Sequence, residues 1–263
     1  MSRWLIIQSD YGQLGNRLHT QANALAWCIE RKVNLLNLGF LSSSSLFVRQ
    51  GTLPIHLWLS SRSFLNRIFL KTKKESFVYR LARSDKYLSP LRHWIKVLEK
   101  ADDEYLSEED LNQCFQENHR KTIILARAWD LHCPHSLTSN QNQVREMLSP
   151  QASVQKLAEG RIAKLRKTFK IVFGVHARRG DYQQFLDGIH FHDWSQYKQW
   201  MIQIQRLFDQ KEGKRVGFLL CSDEHPPIDA FTGLPVTSFR ETEPIVDLHS
   251  LSLCDYNIGP PSS

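Results

Sequence analysis

The sequence predicts an α/β protein built from two domains with parallel sheets, and three observations support this prediction. The chain has 263 residues, more than a single domain of ordinary size contains. Short apolar runs alternate with segments whose apolar residues recur at helical spacing. The order strand, turn, helix occurs near the amino terminus and again in the second half. This alternation is typical of parallel sheets covered by helices.

The first forty residues predict a β-α-β unit. Strands are expected at 4–8, "WLIIQ", and at 33–38, "VNLLNL", with a helix at 17–31 between them. The connecting loop at 9–16 contains two glycines and leads into the helix. Its backbone N–H groups therefore lie at a helix N-terminus, where the dipole favours an anion or a polar ligand.

The segment from 41 to 121 is less regular, and we expect helices there. Between 62 and 100 it carries eleven lysine or arginine residues against three acidic ones, with aromatic and aliphatic side chains interleaved. A strand is expected at 121–130, followed by a loop at 133–140, "CPHSLTSN". The basic segment either forms the solvated face of helices or lies against an anionic membrane surface.

The second half again alternates between strands and helices. The expected elements are a helix at 149–169, a strand at 171–177, a loop at 178–192, a helix at 194–210, a strand at 216–221, a helix near 246–253 and a short strand at 256–259. We place the domain boundary within the first of these helices, giving domains 1–160 and 161–263.

Composition limits the class of protein. A hydrophobic content of 41% with 11% aromatic residues provides for packed cores. No apolar run is long enough for a transmembrane helix, and the first apolar run is too short for a signal peptide, so we expect a cytoplasmic protein. Five widely spaced cysteines without a C-x-x-C pair argue against a disulfide framework or a zinc site. The net charge of +7 suits an anionic partner.

The stretch "HARRGDY" places His176, two arginines and an aspartate at the end of an apolar strand. Strand ends in α/β sheets face the ligand crevice, and a guanidinium matches phosphate oxygens in a bidentate way. Because neighbouring strand residues point to opposite faces, we expect only one of Arg178 and Arg179 to bind phosphate. The other pairs internally, with Asp181 as its partner. The alternative is a purely structural Arg–Asp network.

Two further motifs place polar side chains where a ligand is expected. Asn16, in "GQLGNRL", has an amide that can hydrogen-bond a phosphate or a sugar. Asp223, in "CSDE", follows another predicted strand, where it either accepts from a ribose or base or caps the next helix. No glycine pattern of the dinucleotide or P-loop type is present in the first loop.

In this order along the chain, the motifs resemble those of the α-1,2-fucosyltransferase family, whose relatives include α-1,6- and protein O-fucosyltransferases. "HARRGDY" is similar to the family signature and "GQLGNRL" to its N-terminal loop. "CSDE" resembles its Ser/Thr-Asp-Asp/Glu element and "DLHSLSLCDYNIGPPSS" its C-terminal motif.

The resemblance implies a GT-B-like fold, with two Rossmann-like domains facing a cleft. It implies inverting transfer of fucose from GDP-fucose to a hydroxyl of an oligosaccharide or glycolipid acceptor, without a metal or other cofactor. The first domain is then the acceptor side and the second binds the GDP-sugar. The family continues past the motif's last serine, so we expect the second domain to be incomplete at its C-terminal end.

Carried over position by position, the resemblance also implies roles for individual residues. The donor-binding set comprises Arg178 and Arg179 on the diphosphate, His176 and Ser263 near the phosphates, Asp181 as a structural residue, and Asp223 and Asp247 on the nucleoside. Asn16 helps to place the diphosphate or the acceptor. The expected catalytic residues are Arg178, Asn16 and a base. Asp187 is our candidate for that base, with His190 and His192 as rivals; the alternative for each is an ordinary solvated loop residue.

Two other functions stay open at this point. One is a GDP-sugar-binding relative with impaired catalysis, favoured by the early end of the motif. The other is a nucleic-acid-binding protein, motivated by the net charge, but the sequence has no recognisable nucleic-acid-binding motif, so no nucleic acid partner is expected. If the basic segment 62–100 contacts anionic lipid, the protein is peripheral at the inner membrane surface.

Overall fold

The computed structural model describes residues 3–8, 12–40, 43–48, 94–101, 104–117, 123–212, 215–239 and 243–260. Most of the basic segment 62–100 and the candidate Ser263 lie outside the described residues. The chain forms two compact units, unit 1 (Met1–Ser149) and unit 2 (Pro150–Ser263). Among the described helices, none is both long and apolar enough to cross a membrane.

Unit 1 is built on a four-stranded parallel sheet. Its strands, in the spatial order β2-β1-β5-β3, are β1 (Trp4–Ile7), β2 (Asn34–Asn37), β3 (Ile95–Glu99) and β5 (Ile123–Arg127). A separate two-stranded parallel ribbon pairs β4 (Tyr105–Ser107) with β6 (Asp130–His132). The predicted strand at 121–130 is therefore two strands, β5 and the start of β6, separated by a bend.

The described helices of unit 1 are α1 (Leu14–Arg31), α2 (Glu108–Glu117) and α3 (Pro134–Met147). Helix α1 buries its Ala24–Cys28 turn, including the whole of Trp27, in a core that also contains Leu5, Leu111 and Val144. The predicted β-α-β opening is confirmed, with α1 beginning three residues earlier than expected.

Helix α3 corrects the sequence interpretation, since residues 133–140 were expected to form a loop. Pro134 occupies the first turn of the helix, where its missing N–H costs nothing. The buried carboxylate of Glu108 accepts hydrogen bonds from the N–H groups of His135 (3.1 Å) and Ser136 (3.3 Å). An acceptor 27 residues away in the sequence therefore stabilises the helix N-terminus. No local sequence pattern predicts this acceptor.

Unit 2 is built on a second four-stranded parallel sheet, in the order β10-β7-β8-β9. Its strands are β7 (Ile171–Ala177), β8 (Val216–Ser222), β9 (Val236–Ser238) and β10 (Tyr256–Ile258). Its helices are α4 (Ala152–Arg166), α5 (Trp194–Glu212) and α6 (Pro244–Ser252). The sequence predicted every one of these elements except β9, a three-residue edge strand.

Helices cover both faces of the unit 2 sheet. On one face, Phe173 and Val175 of β7 pack against Tyr197 and Met201 of α5. On the other, Val172 packs with residues of α4 such as Ile162. Because α4 belongs to this core, the chain divides between Ser149 and Pro150 and not after residue 160, which lies inside that helix.

The cap on α3 leads to a stability prediction. Glu108→Ala removes the acceptor of two N–H groups at the start of α3, beside the fully buried Ser136. We expect it to lower the free energy of unfolding by about 2 kcal/mol, measured by urea denaturation followed by circular dichroism. Glu109→Ala, at an exposed neighbouring position, is the matched control and should change it little. Equal stability of the two variants would contradict the assigned cap.

Candidate functional site

The candidate site of unit 2 lies at the carboxyl edge of its sheet. Strands β7 and β8 are parallel neighbours, and their last residues, Ala177 and Ser222, are paired in register. The loops that follow both strands therefore leave the sheet side by side, which is where ligands bind in open α/β sheets. This register brings Arg178 and Arg179 next to Asp223. The sequence had predicted a site at these strand ends.

Arg178 forms a bidentate ion pair with Asp181. Its Nε donates to Oδ1 at 3.0 Å and its Nη2 to Oδ2 at 2.6 Å, and the guanidinium also lies over the ring of Tyr182 at 4.7 Å. The hydrogen bond with Arg178 lowers the pKa of Asp181 below its usual 3.8, so the carboxyl is ionised at neutral pH. The pair uses Nε and Nη2, which leaves the Nη1 end of the fork outside it.

Arg179 lies between two aromatic rings. Its guanidinium carbon is 4.6 Å from the ring centres of both Phe191 and Trp194. Its Nε donates to Glu224 at 3.1 Å and its Nη1 to the carbonyl oxygen of His192 at 2.6 Å. This is the internally paired arginine, and its carboxylate partner is Glu224, whereas the sequence had suggested Asp181. No local pattern gives Glu224 a role, because only the register of β7 and β8 brings it to Arg179.

Asp223 holds the backbone of the loop after β7. Its two carboxylate oxygens accept from the N–H groups of Arg179 (2.9 Å) and Gly180 (3.1 Å). The carboxylate thus fixes the main chain that carries both arginines. Its expected contact with a ribose or base stays a prediction.

His176 is the last-but-one residue of β7 and is largely buried. Burial, and secondarily the positive charge of Arg178, lowers the pKa of His176 below its usual 6.5, so the ring is neutral at pH 7. The chain after β10 passes close above it at Gly259. A Cβ atom at that position would lie 2.6 Å from the carbonyl oxygen of His176, which explains the glycine.

Asp247 lies in the first turn of α6 and makes an ion pair with Arg161 of α4. The Nη1–Oδ1 distance is 2.7 Å, and both side chains are largely buried. The carboxylate also acts electrostatically on His176 and on Cys221 of β8, which places it near the same edge. Arg161 was not recognised in the sequence because it lies on an ordinary amphipathic helix.

The three candidate bases of the loop 178–192 have different surroundings. Asp187 is exposed and adopts a left-handed backbone conformation with φ of 54°. His190 lies near Tyr182, with the ring centres 6.3 Å apart. The ring of His192 packs edge-on against Trp200 at 4.8 Å, as part of the aromatic cluster at the start of α5.

Asn16 lies in the other unit, in the first turn of α1. Its side chain packs directly against the backbone of Gly12, where a Cβ atom would overlap with the amide group. Gly12 also has a positive φ of 72°, so the loop before α1 requires glycine for two reasons. Arg17 donates to the carbonyl oxygen of Gly12 at 3.1 Å and further fixes this turn.

No family model matches the chain, and no curated protein matches it. Similar solved structures are fucosyltransferases. Fucosyltransferase NodZ from Bradyrhizobium has a TM-score of 0.57 at 14% identity, covering 100% of this chain and 91% of that one. NodZ alpha-1,6-fucosyltransferase co-crystallized with GDP has a TM-score of 0.51 at 14% identity, covering 96% and 83%. POFUT1 in complex with GDP-fucose has a TM-score of 0.50 at 11% identity, covering 98% and 91%.

At identities of 11–14%, this likeness establishes the fold. The chain has the α/β architecture with parallel sheets of GT-B-like fucosyltransferases. The predicted α/β fold with parallel sheets is therefore confirmed.

The buried His176 gives a pH prediction. With its pKa lowered in the folded state, the unfolded chain binds more protons at this residue as the pH falls through 6.5, so folding stability is lost on acidification. We expect His176→Gln to reduce the loss of stability between pH 7 and pH 5, measured as the shift of the urea midpoint. The exposed His225→Gln is the control. An unchanged loss in His176→Gln would contradict the assignment.

Proposed function

We propose that this chain is a glycosyltransferase that moves fucose from GDP-fucose to a hydroxyl group of a glycan acceptor. The observation that carries the proposal is the position of Arg178, at the carboxyl end of a central strand in a fold shared with fucosyltransferases. Two of the similar structures contain GDP or GDP-fucose, which supports the choice of donor. The motif "HARRGDY" contributes its resemblance to the α-1,2-fucosyltransferase family as independent support.

In the proposed reaction, the acceptor hydroxyl attacks C1 of fucose while the bond from C1 to the β-phosphate oxygen breaks, with inversion at C1. Negative charge develops on the departing diphosphate. Arg178 stabilises it through the end of its guanidinium outside the Asp181 pair. Asp223 and Arg179 hold the loop, so the cation is in place before the charge develops. A fixed guanidinium thus supplies the positive charge that a divalent metal ion supplies in other nucleotide-sugar enzymes.

Under the same proposal, the remaining donor contacts come from His176 near the phosphates and from Asp247 toward the nucleoside. Asp223 contributes by positioning the loop, because its oxygens already accept two backbone N–H groups. Asn16 helps to place the diphosphate or the acceptor. The acceptor is an oligosaccharide or a glycolipid.

A second candidate is a GDP-sugar-binding protein with impaired catalysis. The observation favouring it is that both guanidinium groups already have carboxylate partners, Asp181 and Glu224. Such a protein binds GDP but does not release GDP from GDP-fucose at a useful rate. Both candidate proteins would therefore bind GDP, but only the first would release GDP from GDP-fucose at a useful rate.

The function is tested by measuring GDP release with GDP-fucose, GDP-mannose and UDP-sugars against an oligosaccharide panel. We expect release from GDP-fucose in the presence of a suitable glycan. Arg178→Ala should lower kcat by about 10²-fold or more, since one charge-stabilising donor is typically worth that much. Arg178→Lys should recover little, because lysine lacks the planar fork.

Two controls complete this assay. Lys198→Ala, on helix α5 of the same unit, should leave turnover unchanged. A chelator should also leave it unchanged, and a complete loss restored by Mn²⁺ would overturn the role given to the arginine. GDP binding without release from any sugar nucleotide would favour the second candidate.

The basic segment 62–100 supports a separate proposal, peripheral contact with an anionic membrane surface. Each cation near such a surface adds about 1 kcal/mol, and the attraction fades beyond a Debye length of about 8 Å at physiological salt. We expect co-sedimentation with acidic but not with neutral vesicles, weakening as salt rises. Absence of binding to acidic vesicles at low salt would contradict the membrane proposal and favour an ordinary solvated surface.

A further inference from the structure

A cluster of two histidines and one aspartate lies at the surface of unit 1. The carboxylate oxygen Oδ2 of Asp130 is 2.8 Å from Nδ1 of His19 and 3.3 Å from Nε2 of His132. Each of the three side chains places one such atom within 4.8 Å of the other two. Both histidine side chains are more than two-fifths exposed, whereas that of Asp130 is 15% exposed. Two imidazole nitrogens and a carboxylate oxygen therefore face one another where solvent reaches them.

The cluster joins two elements that are distant in the sequence. His19 is in the second turn of α1, the helix that follows β1, whereas Asp130 and His132 are the first and last residues of β6. Strands β1 and β5 are parallel neighbours, so α1 and β6, which follow them, both start from the carboxyl edge of the sheet. An ion held by the three side chains would therefore link α1 to the ribbon of β4 and β6.

Hydrogen bonds already hold the carboxylate of Asp130 in position. Its Oδ1 accepts from the hydroxyl of Thr20 at 2.5 Å and from the backbone N–H of Leu131 at 2.7 Å, which leaves Oδ2 on the side of the histidines. Burial raises the pKa of this carboxyl, but the hydrogen bonds from His19 and Thr20 outweigh burial and keep the pKa below its usual 3.8. The group is thus an anion at neutral pH. Carboxylates that bind metal ions are typically supported by hydrogen bonds of this kind.

The ring of His132 is held by its neighbour on the ribbon. Tyr105 of β4 stacks on it, with the ring centres 4.3 Å apart. Side chains alternate along a strand, so Leu131 is buried in the core while Asp130 and His132 lie together on the outer face. The ring of His19 meets that of His132 edge to face, with the centres 5.2 Å apart. These contacts restrict the orientations of both imidazoles.

The donor set indicates the kind of ion. Imidazole nitrogens with one carboxylate oxygen suit first-row divalent ions such as Zn²⁺ and Co²⁺. Ca²⁺ and Mg²⁺ prefer several oxygen ligands, and this cluster supplies one carboxylate. A tetrahedral ion with bonds of about 2.0–2.1 Å places its ligand atoms about 3.3 Å apart. The Asp130–His132 pair already has that separation, and the Asp130–His19 pair has to open slightly from 2.8 Å.

We propose that His19, Asp130 and His132 form a binding site for a divalent transition-metal ion of the zinc class. His19 binds the ion through Nδ1, Asp130 through Oδ2 and His132 through Nε2, and water completes the coordination on the exposed side. The bound ion links α1 to β6 and so stabilises unit 1. This inference concerns unit 1 alone and is independent of the proposed function, in which no step uses an ion.

One contact of His19 changes when the ion binds. With the metal on Nδ1, the proton of the neutral ring is on Nε2, which lies 3.3 Å from Nδ2 of Asn23. Oδ1 of Asn23 accepts the N–H of Cys133 at 2.7 Å, so the amide cannot turn its oxygen toward His19 without losing that bond. The amide therefore weakens metal binding. An acceptor in its place would strengthen it, because metal-bound histidines usually donate their second N–H to a carboxylate or carbonyl oxygen.

The site is tested by titrating the metal-free full chain with Zn²⁺ by calorimetry and with Co²⁺ by visible absorption. We expect a cobalt spectrum of nitrogen and oxygen ligands, without the charge-transfer band that a cysteine thiolate would add. His132→Ala and His19→Ala should each lower the affinity for Zn²⁺ by at least about 10²-fold, since losing an outer-shell partner alone costs about 10–100-fold. Zn²⁺ should also raise the urea midpoint of the unaltered chain, because an ion that binds the folded state stabilises it.

Two further variants sharpen the comparison. His135→Ala is the matched control, because it removes a histidine of the same unit that is 79% exposed and lies 4.0 Å from a different carboxylate, that of Glu108. It should leave the affinity unchanged. Asn23→Asp keeps an oxygen for the N–H of Cys133 and offers a second oxygen to Nε2 of His19. We expect it to raise the affinity for Zn²⁺ by about 10-fold.

Two results would overturn the inference. The first is binding of Zn²⁺ and Co²⁺ by the unaltered chain no tighter than binding by His132→Ala. The second is loss of binding in His135→Ala alone, which would move the ion to the group formed by Glu30, Glu108 and His135. Circular dichroism of each metal-free variant checks folding, and if His132→Ala is unfolded, His19→Ala decides in its place. None of these results bears on the proposed function, which GDP release tests separately.

Discussion

The candidate donor site of unit 2 depends on the burial of the Arg179 guanidinium. Held between the rings of Phe191 and Trp194 and bonded to Glu224, it ties the end of β7 to the loop after β8 and to the chain entering α5. The Arg179 side chain is only 14% exposed, so its charge must be paired, and here one carboxylate and one carbonyl oxygen pair it. Because these contacts fix Arg179, the backbone of its neighbour Arg178 is also held in place at the end of β7. Preorganised cations of this kind stabilise developing negative charge without moving.

The two units share one structural feature, a hydrogen-bonded aspartate near the carboxyl edge of the sheet. In each, an aspartate just beyond a parallel strand accepts several hydrogen bonds and so positions other functional groups. Asp223 takes two backbone N–H groups and presents a guanidinium, whereas Asp130 takes a hydroxyl and a backbone N–H and presents imidazoles. The two units therefore use the same kind of hydrogen-bonded aspartate to position different side chains.

The sequence predicted most elements of unit 2 because its strands are strongly apolar and buried on both faces. Strand β7 spans 171–177 as predicted, and its residues alternate between the α5 face and the α4 face. Prediction was poorer where an element depends on a distant group. Helix α3 starts in a polar, proline-containing stretch because Glu108 accepts its first N–H groups, and β9 is a short edge strand held by its pairing with β8.

The sequence by itself determined where strands and helices lie and which polar residues follow the strands, because apolar periodicity and turn residues act over a few positions. It therefore located Arg178, Arg179 and Asp223 in loops next to a sheet edge. Asn16, expected at the end of the first loop, lies in the first turn of α1. Only the tertiary structure decided their partners. Arg179 pairs with Glu224 at a separation of 45 residues, and His19 pairs with Asp130 at a separation of 111. Such partners are set by strand register and by the packing of helices on the sheet, which bring together residues that no local pattern connects.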